Sequence, residues 1–109
     1  MILVDTSIWI ELLNGRSRKP VSSEDLLQFV TCGPIVQEVL QGIREGAAAA
    51  PFRGAFLAIP RVSDPLSIDT YLQAADMCRQ GRRKGFAIRS SMDCLIAAIA
   101  KYTGLDARQ

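Results

Sequence analysis

Three carboxylates occupy positions where a side chain can do chemistry. Asp5 closes the apolar opening MILVD and is followed at once by Thr6 and Ser7. Glu38 lies in GPIVQEVLQGI, and Asp93 lies in RSSMDCLIAAIA. Each has a plain local reading. An acid near a helix N-terminus is favoured by the dipole by roughly 0.3–1 kcal/mol, and Ser90-x-x-Asp93 fits an N-terminal capping pattern. The surroundings of two of them suggest more. Glu38 has Pro34, Ile35 and Gly42 as helical neighbours, and Ala97 and Ala100 follow Asp93 on its face, leaving room before the carboxylate. Converging, the three would repel unless a cation lay between them. The chain has no histidine, so the donors would be hard oxygens and the ion Mg²⁺ or Mn²⁺. Such a site activates water and stabilises charge on a phosphate under in-line attack. The lack of histidine also removes Ser-His and Cys-His triads and imidazole zinc sites.

These acids need elements to hold them. Residues 2–5 read as a short buried strand, because a continuous apolar run suits a parallel strand covered on both faces. Thr6 or Ser7 is placed to cap a helix over about 6–13 that Asn14-Gly15 ends. Residues 16–20 form a basic loop, and Ser22-Ser23-Glu24-Asp25 opens a short helix. Residues 29–32 read as a second strand, stopped by Gly33-Pro34. Pro34 suits the first turn of a helix over about 35–44, with Ile35, Val39, Leu40 and Ile43 on one face and Gly46 as C-cap. Alanine-rich 47–57 predicts a helix, and Pro60 confines any strand at 59–62 to a start or an edge. After the Asp64-Pro65 turn, residues 66–83 predict a long helix with Leu72, Ala75, Met77 and Cys78 inward. Ser90 or Ser91 caps a last helix over about 92–102, with Met92, Leu95, Ile96 and Ile99 spaced to pack and Gly104 at its end. Strands alternating with helices imply a three-layer α/β/α domain around a short parallel sheet. Ligands of such sheets bind beyond the carboxyl ends of the strands, where Asp5 sits.

Composition sets outer bounds. With 109 residues, 49% of them hydrophobic and 22% charged, the chain reads as one soluble globular domain. A formal charge of +2 gives no global field for nucleic acid, so local clusters matter more. No apolar run reaches the ~20 residues of a membrane span, and no basic n-region precedes an apolar stretch as in a signal peptide. Cys32, Cys78 and Cys94 are odd in number and lack a CxxC pair; they read as reduced core thiols of a cytoplasmic protein. Trp9, inside the first helix, reads as core.

The stretches MILVDTSIWIELL, GPIVQEVLQGI and RSSMDCLIAAIA together resemble the three leading motifs of PIN-domain ribonucleases, most closely the VapC-type toxins of toxin–antitoxin pairs. In order and at this spacing they cover nearly the whole chain. The resemblance implies a PIN-like fold and a metal-dependent endonuclease acting on RNA. It implies an acidic pocket for Mg²⁺ or Mn²⁺ made by Asp5, Glu38 and Asp93, with the hydroxyl of Thr6 or Ser7 orienting the first acid. It also implies a small antitoxin whose segment enters the groove. Arg79, Arg82, Arg83, Lys84 and Arg89 then read either as a solvated helix end or as a phosphate-contacting rim leading to Asp93. Arg16, Arg18 and Lys19 form a second, weaker patch.

The resemblance breaks at GLDARQ, where the family continues into an apolar strand and a further acid. The domain is therefore expected to be truncated at its C-terminus, to lack the strand beside the first one, and to hold a weakened or silent metal site. Asp106 falls where that strand would begin and is not given the missing acid's role. An open edge beside the first strand predicts a homodimer or a swapped oligomer. The alternative function is a degenerate, non-catalytic PIN module that binds an antitoxin or RNA. A doubly wound phosphatase-like hydrolase fits worse, because Asp5-Thr6-Ser7 lacks a DxD pair.

Overall fold

A computed structural model describes residues 1–13, 23–85, 90–104 and 106–108. Strand β1 (Ile2–Val4) is wholly apolar, with Leu3 and Val4 buried. It lies at the centre of a parallel sheet, between β2 (Phe29–Val30) and β3 (Asp106–Arg108). A strand paired on both sides and covered on both faces has no position for a polar side chain, which is why the run ILV carries none. Just past β2, Thr31 and Arg61 make an isolated parallel bridge. The Thr31 amide donates to the Pro60 carbonyl and the Val62 amide to the Thr31 carbonyl, both at 2.9 Å. That single bridge is all that forms of the expected strand at 59–62, in keeping with a proline that can accept but not donate.

The presence of β3 corrects one expectation. Asp106, Ala107 and Arg108 pair in register with Ile2, Leu3 and Val4, so the strand beside β1 is begun. Its polar residues do not read as a strand, but the free edge of β1 supplies every hydrogen bond such a strand needs, and context overrides propensity. β1 thus has no open edge among the described strands, and an association built on that edge has no basis here. Asp106 does lie where the sequence placed it, at the start of the strand. The register sets it level with Ile2, three residues and about 10 Å along the strand from the level of Asp5.

Among the described residues, six helices accompany the sheet: α1 (Thr6–Leu13), α2 (Ser23–Gln28), α3 (Gly33–Gln41), α4 (Ala49–Leu57), α5 (Ile68–Arg83) and α6 (Ser91–Thr103). The expected closure of α1 at Asn14-Gly15 and the basic loop at 16–20 lie outside the described residues. α3 starts two residues earlier than its apolar face suggests, with Pro34 in its first turn, and is closed by Gly42 rather than Gly46. Gly42 keeps a right-handed conformation and its amide reaches the Val39 and Leu40 carbonyls, so the chain turns before the Gly46 position.

α5 is rotated from expectation. Thr70 and Ala74 are buried, whereas Leu72 is 56% exposed and Ala75 is exposed. Thr70 tolerates burial because its hydroxyl shares a hydrogen bond with that of Ser67, the N-cap, which also accepts from the Thr70 amide. Small residues on the inward face let α6 pack closely along α5. α6 is capped as the sequence indicates. The Ser90 hydroxyl accepts from the Asp93 amide at 3.1 Å, and Gly104 ends the helix at φ +68°, a conformation glycine adopts without strain. Ser90→Ala should lower stability by about 1 kcal/mol, read as a lower urea midpoint at unchanged slope; Ser90→Gly should cost only a few tenths.

The core is built on Trp9. Its ring meets Phe29 edge-on at 5.7 Å and Phe56 at 5.2 Å, while its indole N–H donates to the Val4 carbonyl at 3.1 Å. Ile35, Val39 and Ile99 complete the packing from α3 and α6.

Candidate active site

The strand order β2-β1-β3 means that the chain leaves β1 toward one side and returns to pair on the other. Where the winding reverses, the loops beyond the carboxyl ends of the strands diverge and leave a crevice. Asp5 follows β1 directly, at that crevice. Extended by two residues, the β1–β2 register sets Asp5 abreast of Cys32, the residue that leads into α3. α1 and α3 therefore both begin at this end of the sheet. α6 runs into β3 through Gly104, so its opposite end, with Ser90, Ser91 and Asp93, is directed back toward the same side.

Thr6 and Ser7 do not cap α1; both lie inside its first turn, and the Asp5 carbonyl accepts from the amides of Ile8 and Trp9. Their hydroxyls are spent on the acids instead. Ser7 Oγ donates to Asp5 Oδ2 at 3.2 Å. Thr6 Oγ1 donates to Glu38 Oε1 at 3.0 Å, across 32 residues of chain, in a half-buried setting. Of the two hydroxyls, Ser7 orients the first acid, and Thr6 holds the second acid one residue away from it. The sequence showed the two hydroxyls but not which acid each would serve, since the Thr6 contact depends on how α1 packs on α3.

Glu38 is the sixth residue of α3, beyond its first turn, so the dipole reading is weaker for it than for an acid in the first turn. Cys32, fully buried at the head of α3, feels the same neighbourhood. Burial pushes its thiol pKa up and the Glu38 carboxylate adds to that, against a hydrogen bond from the Ile35 backbone. It stays a protonated, inert thiol at neutral pH.

Asp93 is exposed in the first turn of α6. Beside it, α5 and α6 enclose an apolar groove of about 520 Å³ with Tyr71, Ala74 and Leu95 on its walls and Arg79, Arg82 and Ser91 at its margin. Arg83 and Lys84 continue this basic run at the end of α5 and are exposed. Arg89 and the patch of Arg16, Arg18 and Lys19 lie outside the described residues. Cys78 and Cys94 are half-buried rather than core thiols. They meet across the two helices, and the Cys78 partner, with partial desolvation second, pushes the Cys94 pKa up to about 11.

The donors on hand are carboxylates and hydroxyls, which suit a hard divalent ion and no soft one. Their placement is partial. Thr6 ties Glu38 to the start of α1 beside Asp5, but among the described residues no three acidic, cysteine or histidine side chains gather into a ligand set. Asp93 is thus on the same side of the fold without being drawn against the other two.

Thr6 positions the Glu38 carboxylate through a charge-assisted hydrogen bond, worth about 1.5–3 kcal/mol. Thr6→Val should therefore lower the urea midpoint by an amount of that order, and Thr6→Ser should restore most of it; equal midpoints for the two variants would show that the bond does not hold Glu38 in place.

Comparison with known proteins agrees with this geometry. The PIN domain family matches residues 2–107. Two similar relatives are VapC ribonuclease Mb1587 of Mycobacterium bovis and ribonuclease VapC11 of Mycobacterium tuberculosis. Each is 32% identical over 106 residues, a stretch that covers 92% of this chain and 78% of the relative. With the match spanning the sheet, its switch point and the segments that carry all three acids, the chain belongs to the PIN-domain family, among the VapC-type ribonucleases.

Proposed function

We propose that this chain is a VapC-like, metal-dependent endoribonuclease that hydrolyses RNA phosphodiester bonds, with Asp5, Glu38 and Asp93 as its catalytic acids. The observation that carries this reading is the Thr6–Glu38 hydrogen bond, which fastens Glu38 of α3 to the start of α1, one residue from Asp5 at the sheet's switch point. A structural acid on a helix face needs no such partner.

In this reading Asp5, Glu38 and Asp93 hold Mg²⁺ or Mn²⁺. Such an ion, when bound, supplies positive charge against the phosphate and acidifies water. Asp5 is held by Ser7 with one oxygen engaged and the other free to ligate. Glu38 likewise keeps one oxygen beyond its bond to Thr6, able to take a proton from water or to ligate. Asp93, exposed in the first turn of α6, would complete the ligand set. Arg79, Arg82, Arg83, Lys84 and Arg89 contact backbone phosphates of the RNA; none of the first four pairs with a described acid. The groove between α5 and α6, apolar within and basic at its margin, is where a segment of a cognate antitoxin docks. No described helix is long and apolar enough to cross a membrane, and a cytoplasmic setting belongs to the same proposal.

The test is incubation of the purified chain with labelled structured RNA and Mn²⁺, beside Asp5→Asn. Cleavage that disappears in the variant supports the enzyme. One observation favours a second reading, a non-catalytic PIN module that binds RNA or an antitoxin: the acids are not gathered into a ready ligand set. Binding without cleavage in either protein would support it.

A further inference from the structure

Two surfaces of this chain lie open and are complementary in chemistry. On α2, Leu26 is 47% and Leu27 86% exposed, the latter more than any other large apolar side chain described. Glu24 stands three residues before Leu27, so the two share one helix face, with Cβ atoms about 5–6 Å apart. Glu24 is exposed and forms no ion pair among the described residues. The second surface is the groove between α5 and α6. Tyr71, Ala75 and Leu95 line it, and Arg79 and Arg82 stand at its margin, also without a described acidic partner. An apolar side chain with an acid beside it is what such a groove accepts. Leu27, exposed as it is, does not lie in the groove of its own chain.

We infer that the groove takes α2 of a second copy of this chain. Leu27, with Leu26 beside it, enters between α5 and α6, and Glu24 meets Arg79 and Arg82 at the rim. Burial of the leucines supplies the affinity; the rim charges fix the orientation and add less. Made twice about a two-fold axis, the contact covers both leucine pairs and both grooves and leaves no place for a third copy. It owes nothing to the edge of β1, which β3 already pairs. The inference rests on reading the groove as a docking surface and adds a consequence: an antitoxin segment and a second copy exclude each other there.

Sedimentation of the full chain from micromolar to near-millimolar concentration reads the association directly. The parent should pass from monomer to dimer, less readily as salt is raised. Leu27→Glu should weaken dimerisation at least ~tenfold, because burying a leucine is worth more than a decade of affinity. Its exposed position leaves the fold intact, as circular dichroism would check. Ala75→Trp, which fills the groove, should weaken the dimer likewise. Glu24→Arg and the double variant Arg79→Glu/Arg82→Glu should each stay monomeric where the parent pairs. An equimolar mixture of the two should dimerise as the parent does, since every rim contact then joins opposite charges again. A parent that stays monomeric throughout, a dimer that Leu27→Glu leaves as strong, or a mixture that does not pair would each overturn the inference. If Ala75→Trp alone breaks that dimer, the groove remains a docking surface with another occupant. A dimer indifferent to both would take the groove out of the interface too. RNA cleavage and its Asp5→Asn control are read separately from all of these.

Discussion

Trp9→Ala should bring the protein close to its unfolding threshold. Trp9 is only 5% exposed and is the chain's single tryptophan. Truncating a buried Trp to Ala costs about 3–5 kcal/mol in lost burial and cavity, and each edge-on aromatic contact contributes about 0.5–1.5 kcal/mol more. Here two such contacts go together, those to Phe29 on β2 and Phe56 on α4. The Val4 carbonyl also loses its indole partner inside the core. Domains of this size are stable by about 5–15 kcal/mol, so the variant should be partly unfolded at 37 °C. Far-UV circular dichroism through a urea titration reads this directly. Trp9→Phe separates the contributions: it keeps an aromatic ring but not the N–H donor, and should cost about 1–3 kcal/mol. An alanine variant within 1 kcal/mol of the parent would mean that α4 and β2 do not depend on this ring.

The elements that the sequence displayed most clearly are those whose partners are local. β1, α1 and α6 are declared by an apolar run, an apolar periodicity and a Ser90–Gly104 pair of caps, and each formed within a residue or two of expectation. The errors fall where a distant surface decides. Leu72 looked inward by hydrophobicity, but a close helix–helix approach selects Thr70 and Ala74. β3 was invisible because Asp106–Arg108 carries no strand signal; its partner is at the other end of the chain.

The candidate site divides the same way. That Asp5, Glu38 and Asp93 stand out is a matter of residue type and neighbours, which a sequence displays. That Thr6 serves Glu38 and Ser7 serves Asp5 is a matter of α1–α3 packing, which it does not. The basic run of α5 was visible as charge, and its position at the margin of an apolar groove was not.

Asp5→Asn should abolish RNA cleavage while leaving the fold in place. The replacement is isosteric, and its amide oxygen can still accept from Ser7 Oγ, so the start of α1 keeps its geometry. Stability should change by no more than ~0.5 kcal/mol, as at surface positions away from the core. What the variant loses is the negative charge at the switch point. Removing a single electrostatic group from a pre-arranged site typically costs about 10²–10³ in rate, and an acid that anchors a cation should lie at the upper end. Glu38→Gln makes the comparison specific, because the amide oxygen still accepts from Thr6 and only the charge is gone. Both variants should fall together and by similar factors if the two acids act as one unit, and the double variant should then be little worse than either single one. Independent, multiplying losses would place Glu38 outside the unit. Full activity in Asp5→Asn, at native stability and unaltered RNA binding, would remove the reason for reading this crevice as the site of chemistry.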